Sequence, residues 1–531
     1  MRAVAGWTRL LGLGLRRDRY IGPITLVSFA VIAIINQATT VSTYATEEAR
    51  EAAPAGTAAN TAYVFLLGPL EHHDSVAAMA TWQAGPFMTT ALGICVAMAV
   101  VRLTRREEES GRTELLLAGD TGRLAPLLAA TVQITGAAVL LSLVTVLPLI
   151  GGGGSALDLV TVFVQYLTVG LAAIGIALVA AEAAAGARTA NLVSIAVVTG
   201  AYLVRGVADV LTGAAWLRWL SPMGWAQEMD PFGADRLLFA LGAVALLGAC
   251  LLAAAMIAHH RDIGSGWFAR RRGPATGPGL RSLPRIVARL TAAPIAAYTA
   301  VTALYALVVG SLLPSVEQIA AGNEILEEVL VAADTGGALA AAFLAVMTSM
   351  LAAVAAAGGV MLVGRLGAEE KQGRTEVLLA GALSRTRYVA VQAAGALAGA
   401  SVVLFGSAVA VSLSAGLAGM PWAATAADAF AAAGAQLPAA MVIVAGALFF
   451  YGLSTRLIAA AWALVAVSFL AGPIIGVFLG LPDWMVRLSP FSHAPMLPSE
   501  SMRWPPVIVL TAIAAVLLTA GAASFARRDV G

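Results

Sequence analysis

Long apolar runs recur along this chain, about twelve of them, each roughly 17 to 25 residues and so long enough to cross a ~30 Å hydrocarbon core as a helix. They fall near 21 to 38, 85 to 103, 124 to 150, 158 to 181, 190 to 208, 235 to 258, 295 to 313, 338 to 364, 387 to 417, 434 to 452, 457 to 480 and 505 to 526. In lipid every backbone N–H and C=O must be paired internally, and runs of this length achieve that as α-helices. The expected fold class is therefore an all-α polytopic membrane protein. With 60% hydrophobic and 12% charged residues among 531, no soluble catalytic domain of ordinary size fits, since such domains carry roughly 25% charge. The first run is too long for a signal-peptide core and has no small-residue cleavage site behind it, so it is expected to be retained. Cys95 and Cys250 both lie in apolar spans and read as packing residues. A net charge of +2 gives no reason to expect a nucleic-acid partner.

Arginine sets the expected orientation, because short loops rich in Lys and Arg remain cytoplasmic. Arg2, Arg9, Arg16, Arg17 and Arg19 precede the first span, and Arg102, Arg105, Arg106 and Arg112 follow the second. A central segment with Arg261, Arg270, Arg271, Arg272, Arg281, Arg285 and Arg289, and the end with Arg527 and Arg528, are placed inside by the same rule. Between spans seven and eight the loop carries Glu317, Glu324, Glu327, Glu328 and Asp334 with no basic residue, and is placed outside. Both termini are thus expected in the cytoplasm of a bacterial plasma membrane.

The chain also repeats itself. Glu107 to Gly119 returns as Glu369 to Gly381, identical at ten of thirteen positions. At nearly the same displacement Trp216 with Leu220-Ser221-Pro222 returns as Trp484 with Leu488-Ser489-Pro490, and Arg261-Asp262-Ile263-Gly264 returns as Arg528-Asp529-Val530-Gly531. Two tandem, parallel six-helix copies follow: a first half over 1–265 with an N-terminal interfacial helix, a cytoplasmic linker over 266–290, and a second half over 291–531. Topology depends on Arg and Lys alone, so it does not explain conserved order among Glu, Gly and Thr in the loop. A docking surface does. The spacing predicts one short helix per loop, with Glu108 paired to Arg112 and Glu370 to Arg374 four residues apart, and with Leu115 to Leu117 and Val377 to Leu379 leaning on the ends of the spans.

Val101 to Glu114, its second-half echo, and Arg261 to Gly266 resemble the actinobacterial permeases known as polyketide-antibiotic exporters of the tetronasin-export type, in the ABC-2 superfamily. The likeness runs through essentially the whole chain. It implies a type V exporter-like transmembrane fold in which the loop after the second helix of each half is a coupling helix seated on a nucleotide-binding subunit. Carried over residue by residue, that role falls to Glu107, Glu108, Gly111, Arg112 and Glu114, and to Glu369, Glu370, Gly373, Arg374 and Glu376. The implied partners are two copies of an ATP-binding cassette ATPase, which would hold Mg-ATP, with membrane lipid and a hydrophobic small molecule as the other contacts. This chain has no Gly-x-x-x-x-Gly-Lys-Ser/Thr motif, so no ATP hydrolysis is expected on it. The outer segment Phe65 to Pro69 departs from the family pattern in lacking an aromatic beside Gly-Pro.

The resemblance further implies that 209–232 and 482–505 are short helical hairpins re-entering the outer leaflet, and that the second and fifth spans of each half face the pseudo-twofold axis. Met88, Thr89, Tyr202, Met347, Met350 and Phe469 are then candidates to line the substrate path. Trp7 to Arg17 has the make-up of an interfacial amphipathic helix. Glu71-His72-His73-Asp74 offers metal-ligand chemistry but reads as a solvated outer loop. Glu182 is expected to snorkel to water beside Arg188. A secondary carrier of the major-facilitator type shares the two-half layout but needs coupling charges near the midplane, and a lipid-acting enzyme needs converging acid, base or metal ligands at one depth. Neither pattern is evident.

Overall fold

The structure is a computed structural model that describes residues 2–58, 61–211, 213–267, 282–316, 339–473 and 482–529. Its chain divides into two compact units, Met1–Gly273 and Pro274–Gly531. Among the described residues the regular structure is helical, and eleven helices are long and apolar enough to cross a membrane. The protein is a multi-pass, all-α membrane protein. The twelfth run expected, 457 to 480, begins as the shorter apolar helix Thr455–Leu470, and its remainder from 474 lies outside the described residues. The acidic loop of Glu317 to Asp334 also lies outside them.

In the first unit we label α1 Trp7–Arg17, α2 Ile21–Thr43, α3 Val76–Leu103, α4 Arg105–Glu109, α5 Arg112–Leu117, α6 Ala125–Val146, α7 Ala156–Ala183, α8 Ala187–Val210, α9 Pro222–Glu228 and α10 Ala240–His260. In the second unit α11 is Leu283–Leu312, α12 Leu339–Lys371, α13 Arg374–Leu379, α14 Arg385–Leu417, α15 Trp422–Leu453, α16 Ile458–Leu470 and α17 Trp504–Arg527. Helix α11 starts twelve residues before the apolar run at 295, within the expected linker: Ser282 stands at its N-cap and Pro284 in its first turn, where a missing N–H costs nothing.

Each unit is built around its fourth long helix. Helix α7 packs on α3, α6, α8 and α10, and α15 packs on α12, α14, α16 and α17. Small residues permit this. A Cβ on Gly175 would lie 3.2 Å from the Leu247 backbone of α10, and one on Gly452 would lie 2.2 Å from the Gly521 carbonyl of α17, so those helices meet backbone to backbone as membrane helices do at glycine. Peripheral helices instead turn large apolar side chains outward, such as Ile24 on α2 and Leu252 on α10. In water that surface would aggregate, and in hydrocarbon it is the solvated one.

At the end of each unit opposite the repeated loop a short helical hairpin precedes the last helix. In the first unit it comprises Ala215–Leu220 and α9, and in the second Asp483–Val486 and Pro490–Ser492. The repeated Ser of each anchors it identically, Ser221 Oγ donating to the Ala201 carbonyl and Ser489 Oγ to the Ser468 carbonyl, both at 2.7 Å.

Candidate functional site

The repeated loop does not form one helix. Gly111 and Gly373 take φ of 73° and 71°, a left-handed conformation that favours glycine, and each breaks its loop into two short pieces. In the first unit the break separates α4 from α5, and in the second it separates the end of α12 from α13. The Glu108–Arg112 and Glu370–Arg374 helical pairs are therefore not made. Arg112 instead reaches Glu107 at 3.5 Å, while Glu108 and Glu370 turn inward.

What they meet is the other repeated motif. Arg261, just beyond α10, donates from Nη1 to Glu108 Oε1 at 2.5 Å and from Nη2 to Glu108 Oε2 at 2.6 Å, and the Gly264 N–H adds a third bond to Oε1 at 2.7 Å. In the second unit Arg528, just beyond α17, donates from Nη2 to both Glu370 oxygens at 2.8 and 2.7 Å. The Glu-Glu-x-x-Gly-Arg loop and the Arg-Asp-x-Gly motif are two sides of one latch. A further repeated pair holds the base of each latch: Arg123 donates to the carbonyls of Ala258 (2.7 Å) and Arg261, and Arg385 to those of Ala526 (3.3 Å) and Arg528 (2.5 Å). These cations satisfy the unpaired carbonyls at the end of the last helix and complement its dipole. Arg123 and Arg385 escaped the sequence reading, although they stand at the same displacement as the loops.

The first latch carries two extra charges. Glu182, at the end of α7, pairs with Arg261 at 2.6 Å, so its expected snorkelling beside Arg188 is overturned: its carboxylate is buried against a partner 79 residues away. Arg105, 1% exposed, donates to Glu108 at 3.1 Å and to the Ser265 carbonyl at 2.9 Å. In the second unit Tyr451 stands at the corresponding helix end, its ring centroid 5.3 Å from the Arg528 guanidinium, and Gly367 replaces Arg105. One acid and one base are exchanged together, which keeps each cluster neutral. Burial works against the Arg261 charge, but the hydrogen bonds and charges of Glu108 and Glu182 outweigh it and hold the guanidinium above its ordinary range.

Further contacts tie the first loop and its flanks to the N-terminal segment. Arg17 of α1 reaches Glu107 at 2.5 Å, and the N-H groups of Gly122 and Leu124 donate to the Ala5 and Ala3 carbonyls at 2.9 and 2.8 Å. Asp18, one residue past α1, holds Arg102 at 2.5 Å. Glu369 instead pairs with Arg365 within α12, at 2.8 Å.

With the carboxylates drawn inward, the outer face of each loop is apolar. Leu115 is 78% exposed and Leu116 38%; Val377 is 77% exposed and Leu378 38%. This reverses the expectation that 115–117 and 377–379 lean on the spans, and only Leu117 and Leu379 are partly buried. Arg112, Glu114, Arg374 and Glu376 are exposed beside these knobs.

The expected path residues separate into two kinds. Met88 is buried in the first unit's core and Met347 packs against the second's. Thr89 and Tyr202 line a cavity of about 280 Å³ at the hairpin end of the first unit, and Met350 and Phe469 line one of about 20 Å³ in the second. Glu71, His72 and Asp230 offer ligand atoms within 4.8 Å of one another at that first cavity, and His72 Nε2 already shares a 2.7 Å hydrogen bond with Asp230.

Residues 280–526 match the family model for the C-terminal domain of the multidrug efflux system permease Rv1217c. The whole chain is similar to the multidrug efflux system permease protein Rv1217c of Mycobacterium tuberculosis, with 34% identity over 527 residues, 99% of this chain and 95% of that protein.

Proposed function

This chain belongs to the family of multidrug efflux permeases that includes Rv1217c, and from that membership we propose that it is the permease of an ATP-driven drug exporter, with its two repeated loops as docking sites for two copies of a separate ATPase. The observation that carries this reading is the paired apolar knob: Leu115 and Val377 sit on the same scaffold with almost the same exposure. An apolar side chain fixed in water by buried ion pairs behind it suits the centre of an interface, with Arg112, Glu114, Arg374 and Glu376 as its polar rim. In this arrangement Glu108 and Glu370 position the loop, and Leu115, Leu116, Val377 and Leu378 touch the partner. The arginine-rich loop end faces the cytoplasm, where ATP is.

Transport runs outward. The substrates are amphipathic compounds that already partition into lipid, polyketide-like antibiotics among them, and they enter from the cytoplasm or the inner leaflet. Co-expression of the chain with its ATPase in a drug-sensitive host lowers intracellular accumulation of several such compounds, and a mutation that abolishes the partner's ATP hydrolysis removes the effect. Equal accumulation across a broad panel, with and without the active pair, would contradict the reading, and ATP-dependent uptake would reverse its direction.

A further inference from the structure

The hairpin end of the first unit forms a half-open cavity of about 280 Å³, just below the roughly 300–1,000 Å³ range typical of ligand pockets. Helix α3 supplies Trp82 and Gly85 to it, α8 supplies Arg205, and the hairpin supplies Gln227, Glu228 and Phe232. The Phe65 to Gly68 segment, which departs from the family pattern in sequence, is fastened there by side chains: Trp82 donates to the Gly68 carbonyl at 3.0 Å, Tyr202 to that of Leu66 at 2.8 Å, and Arg205 to those of Phe65 and Leu66 at 3.1 and 2.6 Å.

Its charges do not cancel evenly. Arg205 is committed to Asp209 at 3.2 Å, and Arg218 to Asp209 at 2.8 Å and Glu228 at 3.0 Å, a closed set of two cations and two anions. Beyond it stand Glu71 and Asp230 against the single cation Arg236, with His72 between them. Gln227 Oε1 is buried with no hydrogen-bond partner. The loop that forms one wall holds Asp230 and Phe232 at φ of 55° and 67°, strain that is unusual for any residue and more so for a bulky one.

Among the described residues the second unit presents a different lining at the equivalent place. Phe469 stands where the first unit has Tyr202, and Phe491, 2% exposed, stands where it has Met223; the pocket they line is about 20 Å³, with no charged side chain among its described lining residues.

We propose that this cavity binds an organic cation: a small planar or compact amine whose N–H groups meet Glu71 and Asp230, and whose body lies against Trp82 and Phe232. The carboxylates favour a cation over a neutral molecule of the same shape through charge, and the aromatic rings do so through their faces. The site rests on the efflux reading solely for the source of the ligand, a transported compound; occupancy itself requires neither ATP nor transport.

The test uses the full chain in lipid nanodiscs without nucleotide, with proflavine as the cationic probe and acridone as its neutral counterpart, both followed by fluorescence anisotropy. Proflavine is expected to bind at least tenfold more tightly than acridone. A Cβ on Gly85 meets nothing nearer than Thr81 Cγ2 at 3.8 Å, so Gly85→Leu fills the cavity and lowers affinity for both probes at least tenfold. Glu71→Gln removes one of the two carboxylates outside the closed set while keeping the shape, and lowers proflavine affinity alone, by about tenfold. Should Gly85→Leu fail to fold, the Glu71→Gln comparison still decides. Proflavine affinity unchanged in the variants, or equal affinity for the two probes, overturns the proposal. Drug accumulation unaffected by the active pair, with probe binding behaving as described, would instead overturn the efflux reading and leave this one standing.

Discussion

The two latches hold the same loop by different means, and the difference teaches what the repeat conserves. In the first unit one guanidinium, Arg261, is shared by Glu108 and Glu182 while Arg105 backs Glu108; in the second, Arg528 holds Glu370 alone and lies over the rings of Tyr451 and Phe525. The charge inventory changed and the knob did not move: Leu115 and Val377 differ by one percentage point in exposure. What has been kept is the placement of the apolar surface, with the electrostatics behind it free to vary in balanced pairs.

That comparison can be broken at several strengths. Removing Arg261 strands two buried carboxylates, and breaking a buried pair in this way costs about 3–5 kcal/mol, so Arg261→Ala should lower the chemical-denaturation midpoint of the purified chain most and expose residues 105–118 to hydrogen exchange. Arg528→Ala strands one carboxylate, less deeply, at about 1.5–3 kcal/mol; equal losses in the two variants would show that the extra charges do nothing. Gly111→Ala and Gly373→Ala each force a left-handed alanine, at about 1–2 kcal/mol, and should cost the same, because both loops break at the same φ. Arg17→Ala removes a half-exposed pair worth less than about 1 kcal/mol, and should loosen only the first loop in hydrogen exchange.

Much of the fold was legible in sequence for a physical reason: hydrocarbon forces each apolar run into a helix of predictable length, and arginine counts rank its two ends. The repeat likewise picked out both loops and the Arg-Asp-x-Gly motif before any coordinates. Their meeting was not legible, since Glu108 and Arg261 are 153 residues apart and only the packing of α10 beside α7 brings them together. Local spacing then misled in a specific way. The Glu108-to-Arg112 interval matches a helical pair, but the glycine between them takes a left-handed turn, which frees Glu108 to turn inward and swings Leu115 out. The same preference for near neighbours assigned Glu182 to Arg188 when its partner was Arg261. At the hairpin end the path candidates came from the family resemblance, whereas Met223 and Phe491, which line the two described pockets, are marked by no local pattern.

The central claim, that each loop presents one knob to one ATPase, is tested most directly by counting subunits. Native mass spectrometry of the complex co-expressed from membranes should show two ATPase copies on the unaltered chain, one copy on Leu115→Asp or on Val377→Asp, and none on the double variant, while the isolated chain keeps its denaturation midpoint because both positions are exposed. Two copies retained by the double variant would contradict the account.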